Sequence, residues 1–100
     1  MVFDVSKISG IGKFERKTQR VDENHERILY FKDDKVFLVE NKNTIELRTD
    51  EELRKLLVEK YESVMESRYF GRGGIEIVLA GNQLDENELN DLVRLSYNLS

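Results

Sequence analysis

Cysteine is absent from all 100 residues, and with it go disulfides, thiolate nucleophiles and every zinc or iron–sulfur site that needs sulfur ligands. Histidine occurs once, at His25 in the run DENH, so there is no second imidazole four residues on and no cysteine for it to activate. A turn or surface histidine is the simpler reading of His25, with a functional one as the alternative. Proline and tryptophan are missing too, yet 39% of the residues are hydrophobic, more than a persistently disordered chain carries, and the sequence is expected to fold. No window approaches roughly 18 uninterrupted apolar residues, and Met1 to Gly10 has no long apolar core behind a basic flank. These features predict a cytoplasmic protein with no membrane association, and nothing in the sequence asks for a metal or another cofactor.

Positive charge is the scarcer sign. Sixteen Lys and Arg against 20 Asp and Glu leave a formal charge of -4, which supplies no global attraction to phosphate backbones. The distribution is uneven. Lys7, Lys13, Arg16, Lys17 and Arg20 crowd the first fifth of the chain, whereas Asp85, Glu86, Glu88 and Asp91 dominate the last.

One hundred residues suit a single domain spanning the whole chain. A short helical turn fits before Gly10, and Lys13 to Val21 reads as an edge strand whose charges discourage pairing with other molecules. Arg27 to Phe31 and Lys35 to Glu40, separated by Lys32-Asp33-Asp34, carry a hairpin signal, and Thr44 to Arg48 adds a third strand of the meander. In that strand Ile45 and Leu47 share one face while Thr44, Glu46 and Arg48 share the other, the pattern of a sheet buried on one side. The continuous apolarity of the two preceding strands points to a central position or to cover on both faces.

At Thr49 the period lengthens to about 3.6. Thr49 with Glu52 three residues later suits a capping box, and Leu53, Leu56, Leu57, Tyr61 and Val64 mark the apolar stripe of a helix from about Asp50 to Met65, with a break possible near Lys60. Arg68 to Gly74 reads as a flexible glycine-rich corner leading into a strand over Ile75 to Ala80. A second helix starts with Asp85 as N-cap, Glu88 at N3 and Leu84 stapled to Leu89, and its stripe continues through Leu92, Val93, Ser96 and Tyr97. The expected fold is α+β: an antiparallel sheet of four to five strands with two main helices packed on one face, in the order β(β)ββ-α-β-α.

No self-sufficient catalytic signature is present. Glu51, Glu52, Asp85, Glu86 and Glu88 fall at helix starts, where exposed amides and the helix dipole favour negative charge, so capping explains them more simply than acid–base or metal duty. Phe70-Gly71-Arg72-Gly73-Gly74 precedes a strand, whereas a dinucleotide loop follows one, and the Lys-Ser or Lys-Thr ending of a triphosphate loop is missing. A tight structural corner competes there with a binding corner built on Arg68 and Arg72 beside Tyr69.

The segments Tyr30 to Glu40, Ile45 to Leu57 and Ile75 to Leu99 resemble the MmcQ/YjbR-like family, most specifically in the closing strand and turn, the LDENEL helix start, and Leu95-Ser96-Tyr97 followed by Leu99. The likeness covers about 70 residues. It implies a compact intracellular α+β fold of usually unassigned role, with some members looking like DNA-binding proteins by analogy of fold. It also implies structural places for Lys35 and Phe37 in a central hairpin and for Ser96 and Tyr97 in the terminal helix. The tryptophan that the family commonly carries before its penultimate strand is replaced here by Phe70-Gly71-Arg72-Gly73, and the family's first helix is shortened or lost. Weaker likenesses extend to competence-regulator amino-terminal domains and to a luciferase-related domain family.

Together these readings favour a non-enzymatic interaction module whose contact region gathers Arg16, Arg20, Arg68, Tyr69 and Arg72 to meet an acidic protein partner. Weak nucleic-acid binding by the same cations is the first alternative. A small-molecule site or enzyme assembled from distant residues is the second. Exposed sheet edges leave a dimer open.

Overall fold

In the computed structural model, which describes residues 4–100, the polar run after Phe14 forms β1 (Glu15–Asp22), followed by β2 (His25–Lys32) and β3 (Lys35–Glu40). Asp33 turns the chain between β2 and β3 in the left-handed conformation, with φ 55°, which aspartate tolerates better than most side chains. Next come β4 (Thr44–Arg48), α1 (Glu51–Lys60), β5 (Val64–Ser67), β6 (Gly71–Val78) and α2 (Glu86–Leu99). All six strands join one sheet in the order β1-β2-β3-β4-β6-β5, and every pairing is antiparallel.

The expectation of four to five strands is therefore corrected to six, and the order to ββββ-α-ββ-α. The added strand is β5, whose first two residues were expected in the first helix. That helix ends at Lys60: Tyr61 turns extended (φ -123°, ψ 126°) while its N–H still reaches Leu57 O. Val64 then lies against Ile77 as a strand residue and is buried. Val64 faces the core in either conformation, so hydrophobic spacing alone could not separate a last helical turn from a short edge strand.

Two further corrections concern α1. Asp50, not Thr49, is its N-cap, and the Asp50 carboxylate accepts from Leu53 N–H at 2.7 Å. Thr49 is instead buried with its hydroxyl unpartnered, and Glu52 is exposed, so the capping box does not form. Leu56, expected on the apolar stripe, is 62% exposed, and α1 packs through Leu57 and Tyr61. The start of α2 matches its reading better. Asp85 accepts from Glu88 N–H at 2.8 Å, and Leu84 and Leu89 are both buried in the core.

Both helices lie on one side of the sheet, where Leu57, Tyr61, Leu89, Leu92 and Val93 meet Tyr30, Phe37, Ile45, Leu47, Ile75 and Ile77. The register explains the unbroken apolarity of β3. Tyr30 pairs with Leu38 but Phe31 pairs with Val36, so Phe37 is an extra residue in a bulge. Phe37 and Leu38 consequently both serve the helix-side core, while Val36 and Val39 join Leu29 in a second cluster on the other face.

Ser96 ties α2 to the sheet where β3 and β4 diverge. Its hydroxyl accepts from Arg48 N–H at 2.7 Å and donates to Phe37 O, relaying a main-chain bond across the gap. Tyr97 stacks edge-on against Phe37 at 5.0 Å and donates its phenol to Lys13 O. Lys35 is exposed at the β2–β3 turn, opposite Lys32. The amino-terminal segment includes the expected short turn, a 3-10 helix over Val5–Lys7, and tucks Val5 and Ile8 into the same core. Of the stretch Met1 to Gly10 read from sequence, residues 1–3 lie outside the described ones.

Candidate functional site

The five residues expected to share one contact region are divided by the sheet. Arg16 and Arg20 sit on β1 at one edge, and Arg16 is paired with Tyr30, a member of the helix-side core. Arg68 and Tyr69 occupy the turn between β5 and β6, near the opposite edge, and that turn folds over the face away from the helices. Arg72 is exposed in β6, where its carbonyl accepts from Arg54 Nε at 3.1 Å.

The turn covers two carboxylates, one of them Glu46, whose alternation with Ile45 and Leu47 puts it on the face expected to be wet. Glu46 on β4 and Glu76 on β6 are directly paired, and each residue is only 1% exposed. Glu46 accepts from Asn41 Nδ2, Ser67 Oγ and Tyr69 N–H, each at 2.9 Å. Glu76 accepts from Thr44 Oγ1 at 2.7 Å and takes both arms of the Arg68 guanidinium, at 3.0 and 2.8 Å. Burial alone would push the Glu76 carboxyl up, but the Arg68 bond and charge, with the Thr44 hydroxyl, outweigh it and hold the pKa below its ordinary value.

The turn is further fixed by its own chemistry. Gly71 has φ 63°, and Ser67 Oγ accepts from Phe70 N–H at 2.8 Å. A Cβ on Gly74 would meet Leu47 O at 2.5 Å and Phe70 Cβ at 2.6 Å, so only glycine lets the turn close down here. Phe70 packs beside Leu29, Val36 and Val39 beneath the Arg48 guanidinium, and Tyr69 lies under Arg27 at 5.1 Å. Arg68 thus commits its guanidinium to Glu76, and Tyr69 its main-chain N–H to Glu46. With three donors on each carboxylate, the pair is a satisfied structural clasp rather than an idle acid–base dyad.

His25 stands apart from it, at the start of β2 opposite Asp22. Among the described residues no group of three or more His, Asp or Glu side chains could hold a metal ion. None of the helices among them is long and apolar enough to cross a membrane. The sequence carries only a weak hint of the clasp: a glutamate between two apolar residues in each strand, Ile45-Glu46-Leu47 and Ile75-Glu76-Ile77.

The element most open to contact is β1. All eight of its residues are exposed, one long side bonds to β2, and the other is the end of the sheet. Lys13, Arg16, Lys17 and Arg20 line this edge against Glu15 and Asp22. Arg20 reaches Glu23 O at 3.3 Å and Lys17 lies over the Phe31 ring at 5.7 Å, while both residues stay exposed. Beside the edge, a cavity of about 460 Å³ is bounded by Asp4, Phe14, Arg16, Tyr30 and Glu40. Within it Tyr30 donates to Glu40 at 2.6 Å, and burial, followed by the Glu40 bond and charge, pushes the phenol up to about 12 against the opposing influence of Arg16. No family model, characterised protein or solved structure matches this chain.

Proposed function

We propose that the protein is a non-enzymatic interaction module that holds an acidic segment of a protein partner against the basic edge of its sheet. The observation that carries this reading is β1 itself, a fully exposed terminal strand on which Arg16, Lys17 and Arg20 are concentrated in a chain of net charge -4. Cations held on a rigid strand steer an acidic partner and set its register more than they add raw affinity. Arg68, placed in the contact region on sequence grounds, is left out because its guanidinium is committed to Glu76.

The reading carries a cytoplasmic location with it, checked by cell fractionation. The MmcQ/YjbR-like resemblance stands beside it as a proposal supported by the sequence segments alone. Binding is tested by titrating the protein, at low and then moderate salt, with a glutamate-rich peptide, a lysine-rich peptide, and duplex and single-stranded nucleic acid. The expected result is salt-sensitive binding of the acidic peptide, lost in a K17E/R20E variant. Preferential binding of nucleic acid, or unchanged peptide binding by the variant, overturns the reading.

A further inference from the structure

The two ends of the sheet are not equivalent. β5 has four residues, a register shift between Glu66 and Ser67, and an exposed carboxylate in Glu66, whereas β1 runs regularly from Glu15 to Arg20 before its own shift towards Asp22. A terminal strand leaves a row of main-chain N–H and C=O groups facing outward, which an extended chain can complete. We propose that the acidic segment joins the sheet as a seventh strand, antiparallel to β1, with carboxylates at its first, fourth and fifth positions opposite Arg20, Lys17 and Arg16. This rests on the reading above and specifies the partner's conformation and pattern.

The pattern follows from cross-strand geometry. Residues opposite one another on antiparallel strands share a face and interact, with opposite charges favoured and like charges penalised. Arg16, Thr18 and Arg20 pair with Tyr30, Ile28 and Glu26, so they share the helix-side face. Arg16 and Arg20 are then about 13 Å apart along the strand, four residue steps of the partner. Lys17 and Gln19 pair with Leu29 and Arg27 and face the other way. The segment therefore carries acid opposite Arg20, an amide opposite Gln19, a β-branched residue opposite Thr18, and acids opposite Lys17 and Arg16. A base opposite Glu15 completes it. Antiparallel entry continues the pairing used throughout this sheet and is the slightly stronger geometry.

A second copy of the chain fits less well. Self-pairing centred on Thr18 sets Arg16 against the partner subunit's Arg20, and does so twice by symmetry. In that register the edge cations act against self-association while favouring an acidic guest.

The test uses the full chain and the peptide Glu-Gln-Val-Glu-Glu-Lys, its reversed sequence, and two N-methylated forms of the first, each blocking alternate amides. In strand addition only every second peptide amide points at β1. One N-methylated form should bind about tenfold or more weakly while the other matches the parent, and the reversed sequence should also lose about tenfold. Equal binding by both N-methylated forms overturns strand addition and leaves the acidic-partner reading intact. Equal binding of the reversed sequence overturns the antiparallel register. Undiminished binding of the parent peptide by the K17E/R20E variant overturns both this inference and the function it rests on.

Discussion

Glu46 and Glu76 face each other across β4 and β6 with their carboxylates out of water, and among the described residues only Glu76 of the two has a cation in direct contact. Two like charges directly opposite would ordinarily repel. Here three donors on each oxygen pair absorb the charge, and they come from Asn41 after β3, Thr44 at the start of β4, Ser67 at the end of β5, and Arg68 and Tyr69 in the β5–β6 turn. The carboxylates therefore hold that turn down over the sheet, and the turn in turn keeps water from them.

Removing Arg68 should expose the cost of this arrangement. Breaking a fully buried ion pair from one side costs about 3–5 kcal/mol. The Arg68 side chain is 70% exposed, so water can replace part of it and the loss in Arg68→Ala should be nearer 1–3 kcal/mol. Urea unfolding measures it. A loss below about 0.5 kcal/mol would mean that the pair behaves like an ordinary surface contact.

The same clasp should make the fold acid-sensitive. Glu76 has its pKa lowered in the folded protein, so the stability it contributes is present above its unfolded value of about 4.3 and is lost as the pH falls through the folded one. Urea midpoints taken between neutral and strongly acidic pH should therefore fall through this range. In Glu76→Gln the fall should be shallower, because the titrating group is gone, even though the variant starts from a lower midpoint. Parallel curves for the two proteins would remove Glu76 as a source of the acid response.

Tyr30 titrates in the opposite sense. Its folded pKa, about 12, lies above the ordinary phenol value near 10, so its contribution is complete below about pH 10 and disappears as the pH rises through 12. Burial is the largest cause of the shift and Glu40 the next, so Glu40→Gln should bring the Tyr30 phenol down without returning it to 10. Carbon-13 labelling of the tyrosine ring reports this directly. An unchanged titration in the variant would assign the whole shift to burial.

Much of the fold is written in local chemistry. Thr44–Arg48 alternates cleanly and forms a strand with those bounds, and Asp85 with Leu84 and Leu89 marks the start of α2 unmistakably. The parts that escaped depend on long-range neighbours. Val64 suits the next turn of a helix until the open side of β6 is available to pair with it. Glu46 reads as a wet-face residue because nothing near it in sequence announces that Ser67 and Tyr69, more than 20 residues away, will cover it. Arg16 and Arg68 carry the same charge in similar company, and only the strand order reveals that they stand near opposite edges of the sheet.

Ser96 offers a sharper test of the link between α2 and the sheet. Its hydroxyl is buried and is the partner of both Arg48 N–H and Phe37 O. Ser96→Ala leaves both groups stranded in a site too closed for bulk water, and a stranded buried group costs about 1–3 kcal/mol. The expected loss is in that range, accompanied by faster amide exchange at Arg48. Exchange at Arg48 no faster than in the parent would mean that β3 and β4 close the gap without help.

Thr49 and Asp50 are adjacent, polar and equally suited by composition to cap α1, yet the structure gives them opposite roles. Asp50 supplies the bond to Leu53 N–H, so Asp50→Ala should cost about 1 kcal/mol, the usual loss for an N-cap. The Thr49 hydroxyl is buried without a partner, so Thr49→Val removes a polar group that gains nothing from folding and should be neutral or stabilising. Comparing the two variants by thermal unfolding separates the possibilities, because a capping role for Thr49 would reverse their order. The outcome also bears on β6, since Thr49 N–H donates to Gly73 O at 2.9 Å. That main-chain bond survives the change to valine and should keep the entry to α1 docked on the sheet.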